Sequence, residues 1–292
     1  MSGAFRLWGV VSVLPTVFHD DGSLDPFGIA SLVQAHLAAG VAGLTVLGVM
    51  GEAAELSDEE RDEVLRAVLA AAGDLPIVLG ISAPSSDVVA TRSRRAAASG
   101  ATAVMVSAAT TLGLDAAVEA ASAGGLPIVV QDYPAGSGVT VTATDLATAA
   151  RNPLVAGVKA EAPPTASAIA ALRELRPSLP IVGGLGGLFL VDELAAGGVG
   201  TMTGFALPER LVEIVRDYPR DPEGAARAWT CLLPLMRFEA FPPFSLAARK
   251  EVWRLRGAIG SAKCRRAGAT LDGTARADVR RAFEAVVVSV PS

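Results

Sequence analysis

The sequence predicts a single (β/α)8 barrel, a TIM barrel, followed by a C-terminal helical extension. Three observations lead there. Short β-branched runs alternate with helical patterns eight times before Pro208. Three of the runs open with the same tetrapeptide, Leu-Pro-Ile-Val, at Leu75, Leu126 and Leu179. After Pro208 the strands stop and only helical patterns follow. The chain has 292 residues, 51% of them hydrophobic, and barrels of roughly 250 residues commonly form one domain. An open flavodoxin-like sheet would use only about five strands.

The expected strands are Trp8–Leu14, Gly43–Gly48, Pro76–Ser82, Ala103–Ser107, Pro127–Asp132, Val155–Lys159, Pro180–Gly183 and Gly198–Thr203. Their continuous apolar character suits strands buried on both faces. Helices are expected at Asp25–Ala39, at Ser57–Ala72 and at Ser86–Ser99. Ser57 with Glu60 three residues on is a capping-box signature, and Gly100 is a stop signal. The barrel is assigned to 1–218 and the extension to 219–292, packed on the barrel without a core of its own. Ala225–Phe238, Ser245–Arg256 and Thr274–Val288 read as its helices. Leu-Pro-Leu-Met at 233–236 and Phe-Pro-Pro-Phe at 241–244 are expected to mark turns, and Gly257–Gly273 a polar loop.

Composition excludes several functions. The net charge is −5 and no basic stripe with interleaved aromatics occurs, so nucleic acid is not an expected partner. Cys231 and Cys264 fit no disulfide framework or zinc spacing. Two histidines, His19 and His36, argue against a His-ligated catalytic metal. The N-terminus lacks a secretory h-region, and every apolar stretch is broken before membrane-spanning length. The expectation is a cytoplasmic protein with no membrane partner.

Barrel active sites lie at the C-terminal ends of the strands. Lys159 stands at one such end and is one of three lysines against twenty-two arginines. An apolar surrounding penalises an ammonium and favours the free, nucleophilic amine, which a guanidinium cannot provide. The plainer alternative is a lysine that snorkels to solvent or pairs with Glu161. Glu161 shares the Lys159 face if the strand continues, where it could shuttle protons or hold the amine. Gly48-Val-Met-Gly-Glu52 follows the second strand, and its backbone N–H groups could face an anion; structural packing is the alternative. The same choice holds for Gly183-Gly-Leu-Gly-Gly187. Asp132 and Tyr133 end the fifth strand and could exchange protons, or simply form a turn ahead of Pro134.

Four segments together resemble the dihydrodipicolinate synthase / N-acetylneuraminate lyase family. They are Leu14 to Asp25, Gly48 to Ser57, Tyr133-Pro-Ala-Gly-Ser-Gly138 and Gly157-Val-Lys159, and the resemblance runs from about Gly9 to Gly257. It implies a class I lyase and a homo-oligomer, tetramer or dimer. It also implies Lys159 as the Schiff-base lysine and Gly48–Glu52 as the cradle of a keto-acid carboxylate. The sequence departs from the family where its turn usually reads Gly-Thr-Thr-Gly-Glu, here with Val49 and Met50. It has Gln131 for a tyrosine, Thr111 near the place of a second tyrosine, and Gly136 where the synthase carries an arginine. These departures argue against dihydrodipicolinate and sialic-acid chemistry. They leave Glu161, Tyr133 and Asp132 to move protons in an acidic mouth suited to a polar or cationic aldehyde.

The expected activity is cleavage or formation of a 2-keto-4-hydroxy acid through pyruvate and an aldehyde. Dehydration of a 2-keto-3-deoxy sugar acid through the same imine is one alternative, and a non-catalytic keto-acid-binding barrel another. Lys159, Glu161 and Tyr133 are the expected catalytic residues. Gly48, Val49, Met50, Gly51, Gln131, Asp132, Gly184 and Thr203 are expected to contact a small-molecule 2-keto acid. No metal and no cofactor beyond the covalent Schiff base is expected.

Overall fold

The computed structural model describes residues 5–240 and 244–289. Its strands are β1 Gly9–Val13, β2 Gly43–Val46, β3 Ile77–Gly80, β4 Ala103–Ser107, β5 Ile128–Asp132, β6 Val155–Ala160, β7 Ile181–Val182 and β8 Gly200–Thr203. All neighbouring strands pair in parallel, in the order β7-β6-β5-β4-β3-β2-β1-β8. Gly183 closes the ring: its N–H donates to the Gly200 carbonyl and its carbonyl accepts from Met202 N–H. Each expected run holds one strand, usually trimmed by a residue or two at its ends.

Alternation along the strands divides the apolar residues between two clusters. Val10, Val104, Ile128, Val130 and Ile181 pack outward beneath the helices. Val11, Val13, Val78, Met105, Val129, Val182 and Met202 fill the interior. A barrel with a packed interior requires both.

Between the strands run α1 Pro26–Ala38, α2 Asp58–Ala72, α3 Ser86–Ser99, α4 Leu114–Ala121, α5 Pro134–Ser137 and α6 Ala143–Ala149. α7 Thr165–Leu175, α8 Leu190–Ala195 and α9 Pro208–Asp217 complete the ring. Local chemistry starts and stops them as expected. Asp25 caps α1 by accepting from Gly28 N–H at 2.8 Å, with Pro26 in the first turn. Ser57 and Glu60 form the reciprocal capping box of α2. Gly100 ends α3 in the left-handed conformation.

The extension consists of α10 Pro222–Ala240, α11 Ser245–Leu255 and α12 Gly273–Ser289. Leu232, Leu235, Met236, Val252 and Trp253 belong to the same apolar cluster as Ile29 and Leu32 of α1, so the extension shares the barrel's core. The turn expected at 233–236 does not occur. Pro234 lies inside α10, where an interior proline costs about 3 kcal/mol, and burial of Leu232, Leu235 and Met236 offsets it. Of the turn expected at 241–244, only Phe244 falls among the described residues.

Segment 257–273 is a strap rather than a slack loop. Lys250, fully buried on α11, places its ammonium 2.6 Å from Glu52 Oε1 and donates to the Lys263 carbonyl at 2.7 Å. Glu52 Oε2 accepts from the N–H groups of Arg265 and Arg266, both at 2.7 Å. The Phe18 ring lies 4.5 Å from the Lys250 ammonium and 4.4 Å from the Arg265 guanidinium. Lys250 is thus a lysine with a structural task in a chain that carries twenty-two arginines. An ammonium is compact enough to fit one buried carboxylate and one carbonyl, which a guanidinium is not.

Glu193, on α8, is a second buried acid, packed with its carboxylate against Gly183. Burial pushes its carboxyl up to about 8, opposed by the Thr165 hydroxyl and helped by the negative charge of Glu161.

Two outcomes are expected. Glu52→Gln leaves the Lys250 ammonium buried without a countercharge, and Lys250→Met strands the carboxylate. Each should lower stability in urea by about 3–5 kcal/mol, with partial recovery in the double variant. Single variants as stable as the parent would refute the role of the pair. For Glu193, the folded-state value lies above the unfolded one near 4.5. Its contribution is thus complete below about pH 4.5 and is lost as the pH rises through about 8. Glu193→Gln should gain on the parent by on the order of a few kcal/mol between acid and mildly alkaline pH. Urea midpoints across that range check this, and parallel profiles would contradict it.

Candidate active site

Lys159 ends the inward face of β6 and is 5% exposed. The ladder continues one residue past the strand, because Glu161 N–H donates to the Asp132 carbonyl at 2.8 Å. Glu161 therefore stands on the same side as Lys159, with Oε2 3.0 Å from the lysine Nζ. Gln131, the cross-strand partner of Lys159, donates through Nε2 to the same Oε2 at 2.7 Å. Leu185 N–H donates to Oε1 at 3.1 Å. Both carboxylate oxygens are thus held, in a setting where Lys159 and Glu161 are both buried.

The loop after β7 owes its glycine to this carboxylate. A Cβ on Gly184 would lie 2.2 Å from Glu161 Oε1. Gly184 thus gives the close backbone approach expected of this loop, here to the protein's own carboxylate. Gln131 is likewise spent on Glu161, although it also lines the adjoining pocket.

The turn after β2 divides its residues between two tasks. Gly48 and Val49 line the pocket. Met50 packs against the interior cluster. The Gly51 carbonyl accepts from the Thr16 hydroxyl at 2.6 Å, and Glu52 is committed to the strap. Val49–Gly51 is a 3-10 turn, whose first N–H groups have no intrahelical partner. They can receive an anion.

Tyr133 lines the pocket beside Gly136. Its ring fills the space that a side chain at 136 would need, since a Cβ there would lie 2.3 Å from Cε1. Burial and the Glu161 charge push its phenol up, so the hydroxyl keeps its proton at neutral pH. Asp132 does not join the site. Alternation turns it away from Gln131 to the helix side, where burial and then Glu161 push its carboxyl up to about 6. Thr203 is buried and follows the inward Met202, so alternation turns it to the helix side as well.

Sequence reasoning missed the arginines of the outer pocket. Arg61 and Arg95 of α2 and α3, Arg92 of α3 and Arg266 of the strap line it, with Asp58 and Asp62. The expected acidic mouth is thus acidic only around Glu161; farther out, four guanidiniums face two carboxylates. For Arg266 alone a signal was available, the cluster Lys263, Arg265 and Arg266 within a segment read only as loop. Among the described residues, no group of three or more His, Cys, Asp or Glu is placed to hold a metal, and no helix is long and apolar enough to cross a membrane.

Residues 6–286 match the model of the dihydrodipicolinate synthetase family. A 4-hydroxy-tetrahydrodipicolinate synthase of Xanthomonas axonopodis pv. citri is 36% identical over 239 residues, 78% of each chain. An L-2-keto-3-deoxyarabonate dehydratase of Azospirillum brasilense is 34% identical over 291 residues, covering 93% of this chain and 92% of its own. The crystal structure of a dihydrodipicolinate synthase from Rhodopseudomonas palustris superposes with a TM-score of 0.90 at 30% identity, over 96% of this chain and 97% of that one. Fold and sequence agree: the chain belongs to the dihydrodipicolinate synthetase family and, with it, to the pyruvate-dependent lyases and dehydratases.

Proposed function

We propose that Lys159 forms the Schiff base and that the enzyme cleaves or forms a 2-keto-4-hydroxy acid by way of pyruvate and an aldehyde. The observation that carries this reading is the buried Lys159–Glu161 pair at the end of β6, next to a pocket that begins at the anion-receptive turn. Glu161 takes a proton from the Lys159 ammonium, and the free amine adds to the C2 carbonyl. Loss of water gives the iminium ion, an electron sink. With the keto-acid carboxylate on the Val49–Gly51 turn, removal of the C4 hydroxyl proton breaks the C3–C4 bond. The aldehyde leaves, the enamine takes a proton at C3, and hydrolysis returns pyruvate and Lys159. Glu161 serves as the proton carrier, and the Tyr133 phenol is placed to assist at the C4 oxygen.

Dehydration through the same imine is the second reading, favoured by the near-complete coverage of the dehydratase relative. There the C3 proton is removed and the C4 hydroxyl leaves as water. Release of pyruvate, followed with a lactate dehydrogenase couple, separates the two. We also place the enzyme in the cytoplasm, consistent with its free Cys231 and Cys264, as a homo-oligomer, tetramer or dimer, working without metal.

Pyruvate with borohydride should add one reduced pyruvyl mass, mapped to Lys159, and Lys159→Arg should abolish it. A label on Lys250 or Lys263, or none with any keto acid, would sink the mechanism. Glu161→Gln should still trap the adduct but lose about 10²–10⁴-fold in turnover. Parent-like turnover in Glu161→Gln combined with a crippled Tyr133→Phe would move the proton-carrying role to the tyrosine.

A further inference from the structure

The pocket is far larger than pyruvate requires. Its volume is about 700 Å³, and it runs from Gly48 and Gln131 at the strand ends out to α2, α3 and the strap. Lys159 and Glu161 are not among its lining residues and adjoin it through Gln131, which donates to Glu161. The outer part is built from charge. Arg61 and Arg95 share Asp58, at 3.5 and 3.6 Å. Arg92 and Arg266 have no ion-pair partner among the described residues. Each is anchored by one carbonyl: Arg92 donates to Ser82 at 2.7 Å and Arg266 to Val49. Burial of Arg92 and the neighbouring Arg61 charge both act against its protonated form, and Asp58 opposes them. An anion at this place would relieve both penalties. The Arg266 contact also ties this region to the turn that receives the keto-acid carboxylate.

We propose that the outer pocket is a subsite for an oxyanion on the far end of the substrate, a carboxylate or a phosphate, with Arg92 as the principal specificity residue and Arg266 as the second. The substrate is then a 2-keto acid carrying negative charge at both ends. This rests on the reading of Lys159 as the Schiff-base lysine. It replaces the arginine that Gly136 lacks with guanidiniums from other elements. Unpaired guanidiniums suit carboxylate and phosphate through charge-assisted, often bidentate hydrogen bonds.

The test uses imine trapping on the full-length enzyme, so it holds for lyase and dehydratase alike. Borohydride-trapped adduct is measured by intact mass against concentration for 2-ketoglutarate, 2-ketoadipate and 2-ketopimelate, each beside the 2-keto monoacid of equal length. A second arm compares 2-keto-3-deoxy-6-phosphogluconate with its unphosphorylated form, which separates phosphate from carboxylate. At one chain length or more, the anionic member should half-saturate at about tenfold to a hundredfold lower concentration. Arg92→Gln should cut that ratio by a similar factor, Arg92→Lys should restore part of it, and Arg266→Gln should reduce it. The ratio isolates the far-end contact, since a merely structural role would weaken both members of a pair equally. A parent ratio near one in both arms overturns the subsite, as does a ratio unchanged in both Arg92→Gln and Arg266→Gln. Failure of the parent to trap pyruvate on Lys159 removes the Schiff-base reading and the subsite with it.

Discussion

The rest of the site is arranged around one buried ion pair, Lys159 with Glu161. Two charges withdrawn from water cost several kcal/mol each, and their attraction compensates only when the remaining hydrogen-bonding positions are filled. Two elements fill those of the carboxylate. β6 and the residue after it supply both charges, β5 supplies the Gln131 amide, and the loop after β7 supplies Leu185 N–H. Register places Gln131 beside Lys159, and only glycine fits at 184 against the carboxylate. A polar group that holds Glu161 so closely fixes where the lysine amine stands, which is what addition to a carbonyl demands.

A second buried pair, Lys250 with Glu52, supports the opposite side of the mouth. It ties the C-terminal strap to the turn after β2. The side chain of Glu52 faces inward to the extension while the backbone ahead of it borders the pocket. One short turn thus anchors α11 and borders the pocket. The extension is therefore part of the site's framework and contributes Arg266 to its wall.

Charge is layered across the mouth. Glu161 lies at the inner end, Asp132 and Glu193 sit behind it on the helix side of the strands, and the guanidiniums occupy the outer rim. Of these two acids Glu193, pushed up to about 8, keeps its proton at neutral pH and so adds no negative charge beside Glu161. The outer arginines outnumber the carboxylates beside them and give the entrance the opposite sign.

The barrel was legible in the sequence because its strands are buried on both faces and so read as continuous apolar runs, set off by turn residues and helix caps such as Ser57 and Gly100. Lys159 was legible through its rarity and its place at a strand end, and Glu161 through the two-residue period that puts it on the same face. Other features depend on partners distant in sequence. Pro234 read as a turn because local propensity disfavours helix there, while burial against the barrel keeps α10 continuous. That Gly184 and Gln131 both meet the Glu161 carboxylate, thirty residues from Gln131, was not legible in the sequence. Asp132 and Thr203 were drawn to the site by strand-end position alone, and the pleat turns them away. Lys250 meets Glu52 across 198 residues, and the arginines of α2, α3 and the strap converge only when the barrel closes. Periodicity and caps act between near neighbours, so the chain alone determined its elements and the face of its lysine; which charges meet, and where the pocket changes sign, was decided by the tertiary structure.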